Sequence, residues 1–167
     1  MKKILENEKT VLAAGGRSGF LLNDSDCFYY VSEGNLDIFA VTLNDDMSHG
    51  ARNLIMHLEQ GQICFGFPKD VLQKHGLELF VNGTIDAKVV KIPVAKLKKL
   101  ANNASRIASV ALAIDGWIEN ASRALSDGGS APRNGRAFSA KKNQAFEAGE
   151  VICSQRGTLW VSMEKGS

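Results

Sequence analysis

At 167 residues the chain is long enough for one well-cored domain and an appendage, since domains usually hold about 100–150 residues. Its composition, 44% hydrophobic and 23% charged with a net charge of +2, is that of a globular protein and too weakly basic to argue by itself for nucleic acid or an anionic membrane. No apolar run approaches the roughly 18 residues of a transmembrane helix, and the start Met1-Lys2-Lys3-Ile4-Leu5-Glu6-Asn7-Glu8 turns acidic too early for a signal peptide.

From residue 10 to residue 92 short strand-type runs alternate with Gly, Asn and Asp. The predicted strands are 28–32, 36–42, 51–58, 62–65, 78–81 and 84–92, with turns at Gly34-Asn35 and at Asn44-Asp45-Asp46. Leu36, Ile38 and Ala40 fall on one face of their strand, Asp37, Phe39 and Val41 on the other. The second face is too apolar to be fully wet, as expected where two sheets pack. Pro93 closes this first region, residues 1–93.

A helical segment is predicted over 94–127. Leu97, Leu100, Ala104, Ile107, Ala111, Ile114, Ile118, Ala121 and Leu125 recur at steps of three and four. Asp127-Gly128-Gly129 supplies a stop, and the glycine at 116 predicts a break near Asp115-Gly116. Residues 128–167 begin with a Gly/Ser/Pro/Asn loop, after which the β signal returns. There Cys153-Ser154-Gln155-Arg156-Gly157-Thr158-Leu159-Trp160 repeats the strand–Gly–strand pattern of residues 31–38. The copy stops after about three strands, too few to close a roll. The chain therefore reads as a piece of something longer, against the alternative of a small protein whose tail packs on its own first roll. Residues 138–163 are expected to pair as strands with Trp160 inward, leaving an open edge through which a homodimer would form.

The order of these runs, with Gln60-Gly61-Gln62-Ile63-Cys64-Phe65-Gly66-Phe67-Pro68 between the first strands and the last, resembles the cyclic-nucleotide-binding-like domain. The resemblance implies a mainly β fold: a jelly roll (double-stranded β-helix), then a long helical segment that caps a ligand or pairs subunits, then here the start of a second β-roll. It also implies where a nucleotide would sit. In binding members the turn after Gly-Asp/Glu continues as Phe-Gly-Glu, and about ten residues later an Arg-Ser/Thr-Ala pairs with the phosphate, which backbone N–H groups cradle. In this chain Gly61, Gln62 and Gly66 occupy that turn, but Phe67 and Pro68 follow where the glutamate belongs. Leu77 stands at the arginine's position, with Glu78 and Leu79 after it. A buried phosphate facing Leu77 beside Glu78 has nothing to offset its desolvation. Lys74 and His75 lack arginine's bidentate fork and are expected to face water. The site is read as degenerate, with no nucleotide and no other cofactor.

Other chemistry is weakly signalled. His49, His57 and His75 are isolated, so the His-x-His and glutamate of a cupin metal site are not readable. Gly16-Arg17-Ser18-Gly19 only approximates a nucleophile elbow, and residues 128–136 lack the Gly-Lys-Ser/Thr of a Walker A loop. Cys27, Cys64 and Cys153 are odd in number and far apart, and read as buried thiols of a reducing cytosol. No catalytic residue and no metal ligand is assigned, and the chain is read as non-enzymatic. Arg133 and Arg136, with Lys141 and Lys142, form a basic cluster that is either a solvated linker or a contact for head groups or an acidic peptide. Lys96, Lys98, Lys99 and Arg106 read as a wet helix face. Trp117 and Ile118 are the helix's candidate partner contact; packing against the roll is the reading set ahead of it, with Trp117 expected to be largely buried against protein.

Leu21-Leu22-Asn23-Asp24-Ser25-Asp26, the tract 31–41, Gly50-Ala51-Arg52, the tract 60–66, Ile114-Asp115-Gly116-Trp117-Ile118 and Gly157-Thr158-Leu159-Trp160-Val161 together resemble one family more closely. This is the N-terminal region of bacteriocin-export ABC transporters of the nitrile-hydratase-leader-peptide type, in the subunit that fuses permease and ATPase. The resemblance covers nearly the whole chain. It implies a cytosolic accessory domain that docks the leader region of an exported peptide or the rest of the transporter, with the membrane helices and ATPase elsewhere in a longer protein. No leader-recognising residue carries over. The reading set against it is a stand-alone small-ligand sensor or transcription-type regulator on the same fold. That reading wants a helix-turn-helix after the long helix, where this sequence returns to β signal. No nucleic acid partner and no membrane span is expected of this chain.

Overall fold

The computed structural model describes residues 10–125 and the backbone of 136–138 and 152–154. Eight strands come first: β1 (Val11–Ala13), β2 (Phe20–Leu21), β3 (Cys27–Glu33), β4 (Leu36–Leu43), β5 (His49–Leu58), β6 (Ile63–Phe65), β7 (Leu77–Gly83) and β8 (Lys88–Pro93). A short helix, α1 (Lys69–Lys74), separates β6 from β7, and α2 (Val94–Ala101) and α3 (Ile107–Leu125) follow β8. The strands form two antiparallel sheets, a middle sheet ordered β1-β8-β3-β6 and an outer sheet ordered β2-β7-β4-β5. The chain changes sheet at every strand-to-strand step except the β4–β5 hairpin. That is the strand order of an eight-stranded jelly roll.

β3 shows why three layers are needed. Phe28, Tyr29, Tyr30 and Val31 are consecutive and all buried, although a strand alternates its faces. Tyr29 and Val31 point between the sheets, with Cys64 and Val89, against Leu36, Ile38, Leu58 and Val81 of the outer sheet. Phe28 and Tyr30 point the other way, with Ile63, Val90 and Ile92, and are covered by Leu97 and Leu100 of α2 and Val110 of α3. A helix of eight residues is unstable alone in water. α2 is held by burying Leu97 and Leu100, each worth about 1.5–3 kcal/mol.

The predicted strands are all present, with shifted ends. Thr84, Ile85 and Asp86, placed in the last strand by the sequence pattern, form instead the turn before β8, closed by the Ala87 amide donating to the Thr84 carbonyl at 2.9 Å. β1, β2 and α1 were not predicted as elements: two- and three-residue strands are too short to show alternation. The Asn44–Asp46 turn does join two paired strands, but the Gly34-Asn35 turn does not make a hairpin, because β3 and β4 lie in different sheets.

The helical segment breaks where it was not expected. α3 runs unbroken through Gly116, and the interruption falls at residues 102–106. There the Asn103 side-chain oxygen accepts from the Ser105 amide at 3.0 Å and the Ser105 hydroxyl at 2.7 Å, a local bonding pattern that competes with helix. Gly116 costs the helix only about 1 kcal/mol against alanine, and Trp117 beside it packs on both hydrophobic clusters. Ala104, Ile107 and Ala111, assigned to the apolar stripe, are exposed, Ala104 lying in the break itself.

Beyond α3, β9 (Arg136–Phe138) and β10 (Ile152–Ser154) pair in parallel, Cys153 opposite Ala137. A parallel pair cannot be a tight hairpin. The strand expected after Gly157, Trp160 and the loop at 128–135 lie outside the described residues, as does the open edge proposed for them. Among the described residues no helix is long and apolar enough to cross a membrane.

A Cβ on residue 116 would meet nothing within 4 Å. Gly116→Ala should therefore stabilise the protein by about 0.5–1 kcal/mol by relieving the glycine cost within a helix. A lowered melting temperature would mean that α3 does break there.

Candidate functional site

The turn from β5 into β6 is built around Gly61, whose φ of 94° suits glycine. The Gly61 amide donates to the Val31 carbonyl at 2.9 Å, and the Gln62 side-chain oxygen accepts from the Glu59 amide at 2.8 Å. The same Gln62 oxygen accepts from the Asn120 side chain of α3 at 3.4 Å. At the other end of β6, a Cβ on Gly66 would lie 1.9 Å from the Asp24 carbonyl oxygen, so only glycine passes. The Gly66 amide donates to Cys27 and the Phe67 amide to Leu22, both at 3.0 Å. Both N–H groups are thus spent inside the roll.

The aromatic side chains finish the closure. The Trp117 ring of α3 lies 6.1 Å from the Phe65 ring and 6.3 Å from the Phe67 ring, tilted against each. Trp117 is half-buried and touches both the cluster between the sheets and the one under the helices. α3 thus meets both ends of β6, Asn120 at Gln62 and Trp117 at Phe67. Asn120, at helical spacing one turn beyond Trp117, was not singled out from sequence, although that spacing places it on the same face.

Leu77 is placed elsewhere. It opens β7 in the outer sheet, opposite Thr42. Its neighbour Glu78 is 9% exposed and bonds to His49 Nε2 and Gln73 Nε2, both at 2.9 Å. The space beside Glu78, lined by Leu21, Asn23, Lys69, Leu72 and Leu79, holds about 10 Å³. That is room for about one water, whereas small-molecule sites usually need about 300 Å³ or more. Lys74 and His75 are exposed, as expected. Ile118 is half-buried on α3. Arg133 lies outside the described residues, and of Arg136 only the backbone is described.

A more open cleft lies between β5 and α3, lined by Ile55, Met56, His57, Asn120, Arg123 and Ala124. His57 Nδ1 sits 2.7 Å from Asp37 Oδ1, and Arg123 pairs with Glu119 one helical turn away. The cleft has an apolar floor and a polar rim whose charges are already matched.

Among the described residues, Cys27 and Cys64 offer no reactive thiol. Burial pushes the fully buried Cys64 up to about 12, and half-buried Cys27 is raised by burial first and then by its bond to the Asp24 carboxylate. A raised thiol is a poor nucleophile at neutral pH. Among the described residues no group of three or more His, Cys, Asp or Glu side chains is placed to hold a metal.

No protein-family model and no curated protein matches the chain. Solved structures do resemble it. The reduced CO-sensing protein of R. rubrum is 12% identical, over 74% of this chain and 50% of that one, with a TM-score of 0.47. A transcriptional regulator assigned to the Crp/Fnr family, from Eubacterium rectale, is 15% identical over 76% and 55%, with a TM-score of 0.43. The c-di-GMP-responsive global regulator CLP of Xanthomonas campestris is 13% identical over 74% and 60%, with a TM-score of 0.44. The chain spans 50–60% of the length of these three structures. The likeness transfers no residue role. The strand order and trailing helices are those of the cyclic-nucleotide-binding-like roll that the sequence resembles.

Trp117→Ala should destabilise the protein toward the lower end of the roughly 3–5 kcal/mol typical of aromatic-to-alanine changes, since the ring is only half-buried. An unchanged melting temperature would place the ring in solvent. The Lys91–Asp24 ion pair at 2.7 Å braces the chain beside Gly66. Its hydrogen bond from Lys91, foremost, holds the Asp24 carboxyl below its ordinary 3.8. That contribution is full above pH 3.8 and is lost as pH falls through the lower folded value. With both side chains about a third exposed the effect is small. Lys91→Met should flatten the acid limb of the stability–pH curve below pH 3.8; an unaltered limb would show the pair contributes nothing.

Proposed function

We propose that the chain is a non-enzymatic regulatory module of the sensor type, in which the roll does not take a cyclic nucleotide and α3 is the element that reports. The observation that carries this reading is Trp117 seated against Phe65 and Phe67. One helix touches the cluster between the sheets and the cluster beneath itself. A ligand that alters the end of the roll therefore acts directly on the position of α3, provided it favours one position over another. The cleft between β5 and α3 is the entry for such a ligand. Met56, Ile55 and Ala124 beneath a rim of His57, Asn120 and Arg123 suit a small amphipathic molecule.

The exporter-accessory reading rests on the sequence patterns alone, and no feature of the roll favours a leader peptide over a small ligand. Placement on the cytosolic side belongs to both readings.

Titration calorimetry with cyclic AMP or cyclic GMP at millimolar concentration should give no saturable heat, because Phe67 replaces the acidic ligand that the family resemblance implies and packs against Trp117. A micromolar dissociation constant would overturn the closed-site reading. With Trp160→Phe leaving Trp117 as the single indole, any small molecule that binds should shift Trp117 emission and the hydrogen exchange of α3. Binding with neither change would remove α3 as the reporting element.

A further inference from the structure

We propose that the corner formed by α2, the turn at 102–106 and the start of α3 is a docking surface for an anionic lipid bilayer. Residues 94–114 include Lys96, Lys98, Lys99 and Arg106 and not one acidic side chain. The burial pattern divides this tract cleanly. Leu97, Leu100 and Val110 face the middle sheet. On the opposite stripe of α2, Ala95, Lys98, Lys99 and Asn102 are exposed, at the spacing of one helix face. On the corresponding side of α3, Ala108 and Ala111 are exposed, with Ile107 at 51% and Leu112 at 72%.

Both helices pack through their buried residues on the same face of the same sheet, so their exposed stripes look outward together. Arg106, in the turn that joins them, is exposed as well. The result is one outward surface on which three exposed cations accompany two exposed large aliphatic side chains.

That combination selects among occupants. A nucleic acid would meet Lys98, Lys99 and Arg106 through its phosphates but leave Ile107 and Leu112 with no apolar partner. A second copy related by a two-fold axis would set the same cations against one another. An anionic bilayer answers both features, since its head groups attract the cations while Ile107 and Leu112 enter the acyl boundary. Each lysine or arginine close to such a surface strengthens binding roughly fivefold. This inference does not depend on the regulatory reading above.

The test is co-sedimentation of the full 167-residue chain with vesicles of phosphatidylcholine alone or with added phosphatidylglycerol, at low and high salt. Binding should appear on the anionic vesicles, be weaker by about tenfold or more on the neutral ones, and decline with salt. The double variant Lys98→Glu/Lys99→Glu should lose it while staying folded, its melting temperature lowered slightly by carboxylates in the last turn of α2, and Lys98→Gln/Lys99→Gln should weaken it without that cost. Leu112→Ser should weaken it several-fold and leave its salt dependence in place. Equal partition onto both vesicle types, no binding to either, or indifference to the double charge reversal would overturn the proposal. So would duplex DNA that displaces the vesicles and whose own binding ignores Leu112→Ser. A dimer that Leu112→Ser dissolves, in a chain that ignores vesicles, would assign the surface to a second copy instead.

Discussion

A strand that carries Phe28, Tyr29, Tyr30 and Val31 in a row cannot leave either of its faces to water. From that constraint most of the architecture follows. One face of the middle sheet is dried by the outer sheet, and the other needs a further layer, which α2 and α3 supply. The helices are therefore part of the hydrophobic core and not an appendage to a finished roll. Their amphipathic pattern is the counterpart of the outward side chains of β3, β6 and β8. Removing the helical layer would expose Phe28, Tyr30, Ile63, Val90 and Ile92 together, a patch that a stable soluble fold does not tolerate uncovered.

The same layer decides the character of the candidate site. Where α3 crosses the end of β6, Trp117 fills the space against Phe65 and Phe67, and Asn120 reaches Gln62. The Gly66 and Phe67 amides serve the roll's own backbone, and in the outer sheet Glu78 bonds to His49 and Gln73.

α3 consequently has two sides with different chemistry. Its inner side joins both cores through Trp117, and its outer side, with α2, shows lysine, arginine and uncovered aliphatic carbon to the surroundings. A displacement at the inner side would be felt at the outer one, since the helix is continuous through Gly116. That continuity gives the segment the stiffness to carry a change along its length.

The alternation and turn chemistry of residues 10–93 were enough to read strands, their approximate limits and a two-sheet β fold, because the strand period is written in adjacent side chains. The identities of Phe67 and Leu77 are read directly, but only the tertiary structure separates them, with Phe67 against Trp117 and Leu77 at the start of β7 in the outer sheet. What the chain could not disclose by itself was which strands pair. Gly34-Asn35 has the composition of a hairpin turn, yet it carries the chain from one sheet to the other, and β10 pairs with β9 in parallel. Pairing is settled by partners distant in sequence, which local propensity does not encode. The helix break shows the same division. Gly116 is a poor helix former judged alone, but tertiary packing of Trp117 outweighs its cost of about 1 kcal/mol. The unpacked Asn103 and Ser105 satisfy each other locally and end α2 instead. Local chemistry named the elements, and burial on two faces of one sheet decided where they went.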